Sequence, residues 1–378
     1  LNGHEAQGFV AAWHLPRGTT APTVTAPLTD AERPILDAGA RLLAHAGIEA
    51  RGYFHAHSEG RTHYLEVAGS DELEPLVLLH GGAGGGANWF AVLDAYARRR
   101  RVLAPDMPGF GLSTRIPAGA PLGRRAARRL ASWLRGIGVR RFALAGTSFG
   151  GLVAAHLAAR RDLKVTRLAL IDSAGLGRAV HPFLRLASTA LVRPAVGVSS
   201  RAGARAVFQG LMVHRPRSIP AERREVLVDY LHTCGRAGVD RLVAEALPHF
   251  VGWTGQRERA DLYVLPAVRC PLLAVSGSHD AIFPARHARR LPRRVGDARA
   301  RVIPEAGHSP MWETPEALVD ATLSFLEATP AAGQEAAASP AAGREGEARA
   351  YQRSPAARSP TASDEAPRPR LIDPPPAG

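Results

Sequence analysis

Residues 141–160 read RFALAGTSFGGLVAAHLAAR. Phe142, Leu144 and Ala145 give an apolar strand, Gly146-Thr147-Ser148-Phe149-Gly150 interrupts it, and Leu152, Val153, His156, Leu157 and Arg160 follow at helical spacing. A strand that runs through G-x-S-x-G into a helix reads as a nucleophile elbow. The serine occupies a sharp, strained turn, and side chains in place of the flanking glycines would collide with neighbouring backbone. Ser148 is therefore the candidate nucleophile. A serine hydroxyl is a poor nucleophile at its own pKa, so the elbow requires a base, an acid that orients the base, and donors for an oxyanion.

The base is expected late in the chain, because elbow enzymes carry their triad in the order Ser, then Asp or Glu, then His. Of the fifteen histidines, His308 lies in a segment of the right form. The strand Ala300-Arg301-Val302-Ile303-Pro304 leads into the loop Glu305-Ala306-Gly307-His308-Ser309-Pro310, and a helix follows over 315–327. Such a loop is expected to hold the imidazole over a serine without burying it. For the acid, the strand 271–277 is followed by Ser278-His279-Asp280, and Asp280 is the choice. Its competitor is Asp172, at the end of Leu168-Ala169-Leu170-Ile171-Asp172, which reads better as a helix-capping or loop-fixing carboxylate.

Two backbone N–H groups must converge to make an oxyanion hole. One is expected from Phe149, the residue after the nucleophile, and the other from the glycine loop 81–86 that follows the strand Leu76-Val77-Leu78-Leu79-His80, with Gly82 the candidate donor. A phosphate-binding reading of this loop would need Lys followed by Ser or Thr at its end, where Ala87-Asn88-Trp89 stand. A dinucleotide reading would use Asp106, but the turn Met107-Pro108-Gly109-Phe110-Gly111 follows it directly.

Taken together, HGGAGGGANW (80–89), DMPGFGLS (106–113), GTSFGG (146–151), LALIDSAG (168–175), SGSHDAIFP (276–284) and EAGHSPMWETPE (305–316) resemble the α/β-hydrolase family, over roughly residues 50–328. The likeness is to its lid-bearing esterases, monoacylglycerol-lipase-like enzymes and carbon–carbon bond hydrolases. It implies an α/β-hydrolase fold, an eight-stranded, mostly parallel sheet with helices on both faces. It assigns Ser148 as nucleophile, Asp280 as acid, His308 as base, and Gly82 and Phe149 as oxyanion donors. In this family the residue matching Asp106 shapes its loop. Serine at the elbow argues against haloalkane dehalogenases and epoxide hydrolases, which carry Asp there. The resemblance implies no cofactor and no metal.

The short apolar runs at 76–79, 102–104, 142–145, 168–171, 272–275 and 301–303 fit strands buried on both faces, and helical segments separate most of them. That alternation gives a doubly wound sheet with its ligand at the strand ends, where Ser148, Asp280 and His308 all fall. Over 178–262 the alternation stops and helices are expected at 182–192, 202–212, 221–233 and 239–250, an insertion that in the family forms a lid. Phe183, Phe208, Leu211, Met212, Phe250 and Trp253 are candidate wall residues; His181, His214, His232 and Arg215 read as rim positions. The organisation expected is an N-terminal extension over 1–50, a core over 51–177 and 263–328, the lid, and a disordered tail over 329–378 rich in Ala, Pro, Gly, Ser, Glu and Arg. Within the extension, Ile35, Leu36, Leu42 and Leu43 mark an amphipathic helix, capped at Thr29-Asp30, that packs on the core.

The formal net charge is +14, yet Lys164 is the only lysine among 48 basic residues, and the arginine clusters sit at helix ends or faces without interleaved aromatics. No nucleic-acid partner is expected, although the charge is compatible with weak attraction to an anionic membrane surface. Cys234 and Cys270 read as free thiols, Cys270 as a buried one. His55 and His57 have the spacing of two ligands on one strand face but lack a third. No apolar run spans a bilayer and no leader pattern is visible, so the default location is cytoplasmic. The function expected is that of a serine hydrolase cleaving a carboxylic ester of a small-molecule or lipid-like substrate. Carbon–carbon cleavage, perhydrolysis or acyl transfer on the same triad, and a non-catalytic small-molecule receptor, are the alternatives.

Overall fold

A computed structural model describes residues 29–117, 119, 121–192 and 197–328; the irregular stretch expected over 1–28 and the tail expected over 329–378 lie outside them. In chain order the described elements are α1 (Arg33–His45), β1 (Arg51–His57), β2 (Gly60–Val67), β3 (Leu76–Leu79), α2 (Leu93–Ala97), β4 (Val102–Pro105), α3 (Leu122–Gly136), β5 (Arg141–Thr147), α4 (Phe149–Ala158) and β6 (Lys164–Ile171). There follow α5 (Pro182–Ala187), α6 (Arg201–Val207), α7 (Ala221–Cys234), α8 (Asp240–Phe250), the short pair β7 (Val251–Gly252) and β8 (Gly255–Gln256), and α9 (Ala260–Tyr263). The last part holds β9 (Leu272–Gly277), α10 (Arg286–Arg290), β10 (Ala298–Ile303), α11 (Pro310–Glu313) and α12 (Pro315–Glu327).

Eight strands form one sheet in the order β1-β2-β4-β3-β5-β6-β9-β10. β2 pairs antiparallel with both its neighbours and every other pairing is parallel. β3, β5 and β6 are central and bury nearly every residue, as runs such as Leu76-Val77-Leu78-Leu79 require when helices cover both faces. The run at 301–303 behaves differently. β10 is an edge strand with Arg299 and Arg301 exposed, so it is not buried on both sides.

α1 forms where the apolar stripe predicts it, but it packs on α7 and on the turn Gly86–Trp89. A Cβ on Gly39 would lie 3.7 Å from both Tyr230 and Ala87. The inserted helices therefore supply part of the surface that buries Ile35 and Leu42. Its start is held by the Thr29 carbonyl, which accepts from the N–H groups of Glu32 and Arg33, and not by a hydroxyl cap. α5 ends at Ala187, earlier than its apolar pattern suggests. Ser188 and Thr189 turn their hydroxyls back onto the carbonyls of Arg185 and Leu186 and compete with the helix.

Candidate active site

The end of β5 sets the geometry. Ser148 has φ 54° and ψ −124°, a left-handed conformation that costs a non-glycine residue about 1–3 kcal/mol and persists only where its surroundings hold it. Here the holding is explicit. The Ser148 N–H donates to the Ile171 carbonyl at 3.0 Å, and its own carbonyl accepts from Gly151 and Ala174 at 3.0 Å. A Cβ at Gly146 would sit 2.4 Å from the Gly150 carbonyl, and one at Gly150 would sit 2.3 Å from that of His80, so both flanking glycines are sterically required.

The glycine loop after β3 passes directly beside this turn, since a Cβ at Gly81 would lie 3.1 Å from Ser148 Cβ. His80 fixes the loop. Its Nδ1 donates to the Gly81 carbonyl at 2.7 Å while its Nε2 accepts the Met107 N–H at 2.8 Å, which selects one neutral tautomer. Complete burial also depresses the His80 pKa. The N–H groups of Gly82 and Phe149 donate to no acceptor among the described residues, which leaves both free beside Ser148. Further along, Asp106 accepts from Gly86 and Leu112 and from His63 Nδ1, at 2.7, 2.8 and 2.8 Å. Burial raises its pKa, but His63 and the converging donors outweigh that and hold it below its usual value. Asp106 thus binds two loops together, in keeping with the loop-shaping part implied by resemblance.

His308 follows β10 and its Nδ1 lies 2.9 Å from Asp280 Oδ1. That same oxygen accepts the N–H groups of Ile282 and Phe283, at 2.8 and 3.0 Å. Phe283 meets the imidazole edge-on, with ring centres 5.5 Å apart. His308 and Ser148 line one cavity together with Gly82, Trp89, Met212 and Trp312. The sequence suggested an unburied imidazole; in the structure His308 is only 3% exposed. The cause is the insertion, because the Ser309 N–H donates to the Met212 carbonyl at 2.8 Å and draws that segment over His308.

Asp172 lies at the end of β6 with φ 42°, and its Oδ1 accepts from Ser276 Oγ at 3.0 Å and from the Gly277 N–H at 2.8 Å. It ties β6 to β9 and makes no hydrogen bond to His308. Burial, and next the charge of Asp280, push its carboxyl well above the usual range. Among the described residues, Asp172, Asp280 and His308 are the one cluster of potential metal-ligating types, with donor atoms all within 4.8 Å of one another. Within it His308 and Asp280 are already joined by a direct hydrogen bond. His55 and His57 have ring centres 6.5 Å apart and belong to no such cluster. Both cysteines are free; Cys234 is buried and Cys270 only partly so.

Of the candidate wall residues, Met212 faces the cavity. Phe208 packs on Trp312 at 6.1 Å, and Phe250 meets Phe149 edge-on at 5.9 Å. Leu211 is half-buried. Phe183 and Trp253 are surface residues, 37% and 68% exposed, with Arg185 over the Trp253 ring. The rim histidines have local partners: His181 caps α5, His232 faces the Val198 carbonyl, and His214 stacks on His279 at 3.8 Å. Arg215 pairs with Glu305. Sequence reasoning missed Glu313. This buried carboxylate accepts the N–H groups of Gly307, His214 and Arg215, and so fastens the inserted segment to the base loop. Its place in EAGHSPMWETPE gave no sign of this, because the partners at 214 and 215 reach it only through the tertiary fold.

The family model described as alpha/beta hydrolase family matches residues 76–321, which contain Ser148, Asp172, Asp280, His308 and the glycine loop. The chain belongs to the α/β-hydrolase family. Within that family it is 33% identical over 257 residues to the dihydrolipoyllysine-residue acetyltransferase component of the acetoin cleaving system of Pseudomonas putida, covering 67% of this chain and 63% of that protein. It is also 29% identical over 274 residues to 2-hydroxy-6-oxo-6-(2'-aminophenyl)hexa-2,4-dienoic acid hydrolase of Metapseudomonas resinovorans, covering 70% of this chain and 87% of that enzyme. Among solved structures, a membrane phospholipase A superposes with a TM-score of 0.63 at 25% identity, covering 78% of this chain and 91% of the other. The family match and the dienoic acid hydrolase likeness make the chain an enzyme of the α/β-hydrolase type. No helix among the described residues is long and apolar enough to cross a membrane.

Proposed function

We propose that this α/β-hydrolase is a cofactor-independent serine hydrolase that cleaves a carboxylic ester of a small-molecule or lipid-like substrate through an acyl-enzyme on Ser148. The observation that carries the reading is that a strained Ser148, His308 and Gly82 line one cavity, with Asp280 hydrogen-bonded to His308 and the free N–H of Phe149 next to Ser148 in the chain. With Nδ1 donating to Asp280, His308 Nε2 is left as the proton acceptor. Ser148 Oγ attacks the carbonyl carbon and gives its proton to Nε2. Asp280 holds the ring and stabilises the imidazolium, while the two N–H groups receive the negative oxygen. The imidazolium then protonates the leaving alkoxide, and water repeats the sequence to release the acid.

A fluorophosphonate probe tests this directly. It is expected to label the wild type and not Ser148→Ala, and Asp280→Asn should lower turnover by about ten-thousandfold. Labelling of the wild type no stronger than that of Ser148→Ala would overturn both the nucleophile and the serine-hydrolase reading. A second reading, hydrolysis of a carbon–carbon bond next to a ketone, draws on the 29% identical dienoic acid hydrolase. A turnover screen over esters of graded acyl length, with a dienone acid included, separates the two readings.

A further inference from the structure

Two buried oxygens next to the base have no donor. Asp172 Oδ2 and Asp280 Oδ2 are each shielded from solvent and each without a hydrogen-bond partner, although the other oxygen of each carboxyl is well supplied. The two side chains are 2% and 9% exposed at the residue level, and both approach His308 within the same 4.8 Å cluster. Two ionised carboxylates cannot share so small a buried space without donors between them, because each would forfeit its hydration and repel the other. One proton between the orphan oxygens removes both costs.

We propose, building on the serine-hydrolase reading above, that Asp172 is a positioning residue held neutral. It carries a proton on Oδ2 and donates it in a hydrogen bond to Asp280 Oδ2, which turns Asp280 Oδ1 towards His308. The donor sets decide which carboxyl is neutral. Asp280 Oδ1 receives Ile282 N–H, Phe283 N–H and His308 Nδ1, three donors that favour the anion, whereas Asp172 Oδ1 receives one N–H and the Ser276 hydroxyl. The upward pull of burial on the Asp172 carboxyl agrees with this assignment. The other titratable groups facing the pair do not supply the missing donor. His308 is committed to Oδ1, and His287 on α10, whose pKa burial pushes down to about 4, makes no hydrogen bond to either carboxyl. Arg259 and Arg294 are spent on Asp261.

The arrangement makes a prediction that a merely structural Asp172 would not. Asparagine can reproduce it, with the amide oxygen accepting from Ser276 and Gly277 and the amide N–H₂ donating to Asp280 Oδ2. Asparagine also tolerates the left-handed backbone at φ 42°. Glycine keeps that backbone without strain but removes the donor. On the best substrate of the ester screen, Asp172→Asn is expected to retain kcat/KM within about threefold of wild type, and Asp172→Gly to lose about tenfold to a hundredfold, mostly in kcat. Infrared spectra of the intact protein at neutral pH should contain a neutral carboxylic C=O band that shifts in D₂O and is absent from Asp172→Asn. This band is read without substrate, so it tests the shared proton even if the fluorophosphonate experiment fails. The proposal is overturned by absence of the band in the wild type, by its persistence in Asp172→Asn, or by its appearance only after chelator treatment, which would mean that a cation joins the two oxygens. It is equally overturned if Asp172→Asn falls as far as Asp280→Asn, or if Asp172→Gly matches the wild type.

Discussion

At the residue scale, a neutral Asp172 positions the acid at the expense of stability. Its carboxyl has an ordinary pKa of 3.8 and is raised well above that in the fold, so above the ordinary value the folded chain holds a proton that the unfolded chain has released. Stability supplied by this group is complete below the unfolded pKa and is lost as pH rises towards the folded value. Asn at 172 takes up no proton at any pH. The difference in melting temperature between Asp172→Asn and wild type should therefore grow in favour of the variant as pH is raised from about 4 to 8. Thermal melts across that range check it, and a difference that shrinks with rising pH would contradict the sign. As candidates, Ser148, Asp280 and His308 were legible one by one because each follows a strand in a stretch with a recognisable motif. The nearness of Asp172 to Asp280 was not, since two carboxyls 108 positions apart in the chain come together only once β6 and β9 are paired.

At the element scale, polar contacts help to hold the inserted helices to the core, and Glu313 is the one that joins them to the loop carrying His308. Removing its side chain in Glu313→Ala leaves three backbone donors, on Gly307, His214 and Arg215, without an acceptor at the place where the base loop meets the insertion. A misplacement of the imidazole by about 1 Å is enough to cost on the order of a hundredfold in rate. Glu313→Ala is therefore expected to lower kcat/KM by about tenfold to a hundredfold. Hydrogen exchange should speed up together over 208–219 and 305–310, and unchanged exchange in either segment would show that the clasp does not couple them. The helices themselves were mostly readable from apolar spacing, α7, α8 and α12 nearly to the residue. The hairpin of β1 and β2 went unread because Arg51–Val67 mixes histidine, charge and glycine without clean alternation, and its partner β4 is far along the chain. What covers His308 was also invisible, because that cover depends on a hydrogen bond between Ser309 and Met212 that no spacing encodes.

At the scale of the whole molecule, the mostly parallel order of strands was implied by their alternation with helices, whereas the edges of the sheet were not. An edge strand presents unpaired N–H and C=O groups to any other chain, and proteins blunt that hazard with charge. β10 is such an edge, and its sequence Ala298-Arg299-Ala300-Arg301-Val302-Ile303 places two exposed arginines at positions that share one face. Their charge is part of the surplus of +14 that invites a nucleic-acid reading when only composition is considered. In the fold, many other arginines are paired locally, among them Arg201 and Arg205 with Glu225 and Arg160 with Asp162, which lowers the charge those stretches present. Arg299 and Arg301 pair with no carboxylate among the described residues, which fits a protective role for their charge. Replacing both by valine raises strand propensity and removes the repulsion between copies, while the buried Ala298 and Ile303 keep the strand in register with β9. The double substitution Arg299→Val with Arg301→Val is thus expected to leave the circular dichroism spectrum and Ser148 labelling unchanged. Light scattering should rise with protein concentration above that of the wild type. Equal scattering at every concentration would mean that the edge is protected by something other than these two charges.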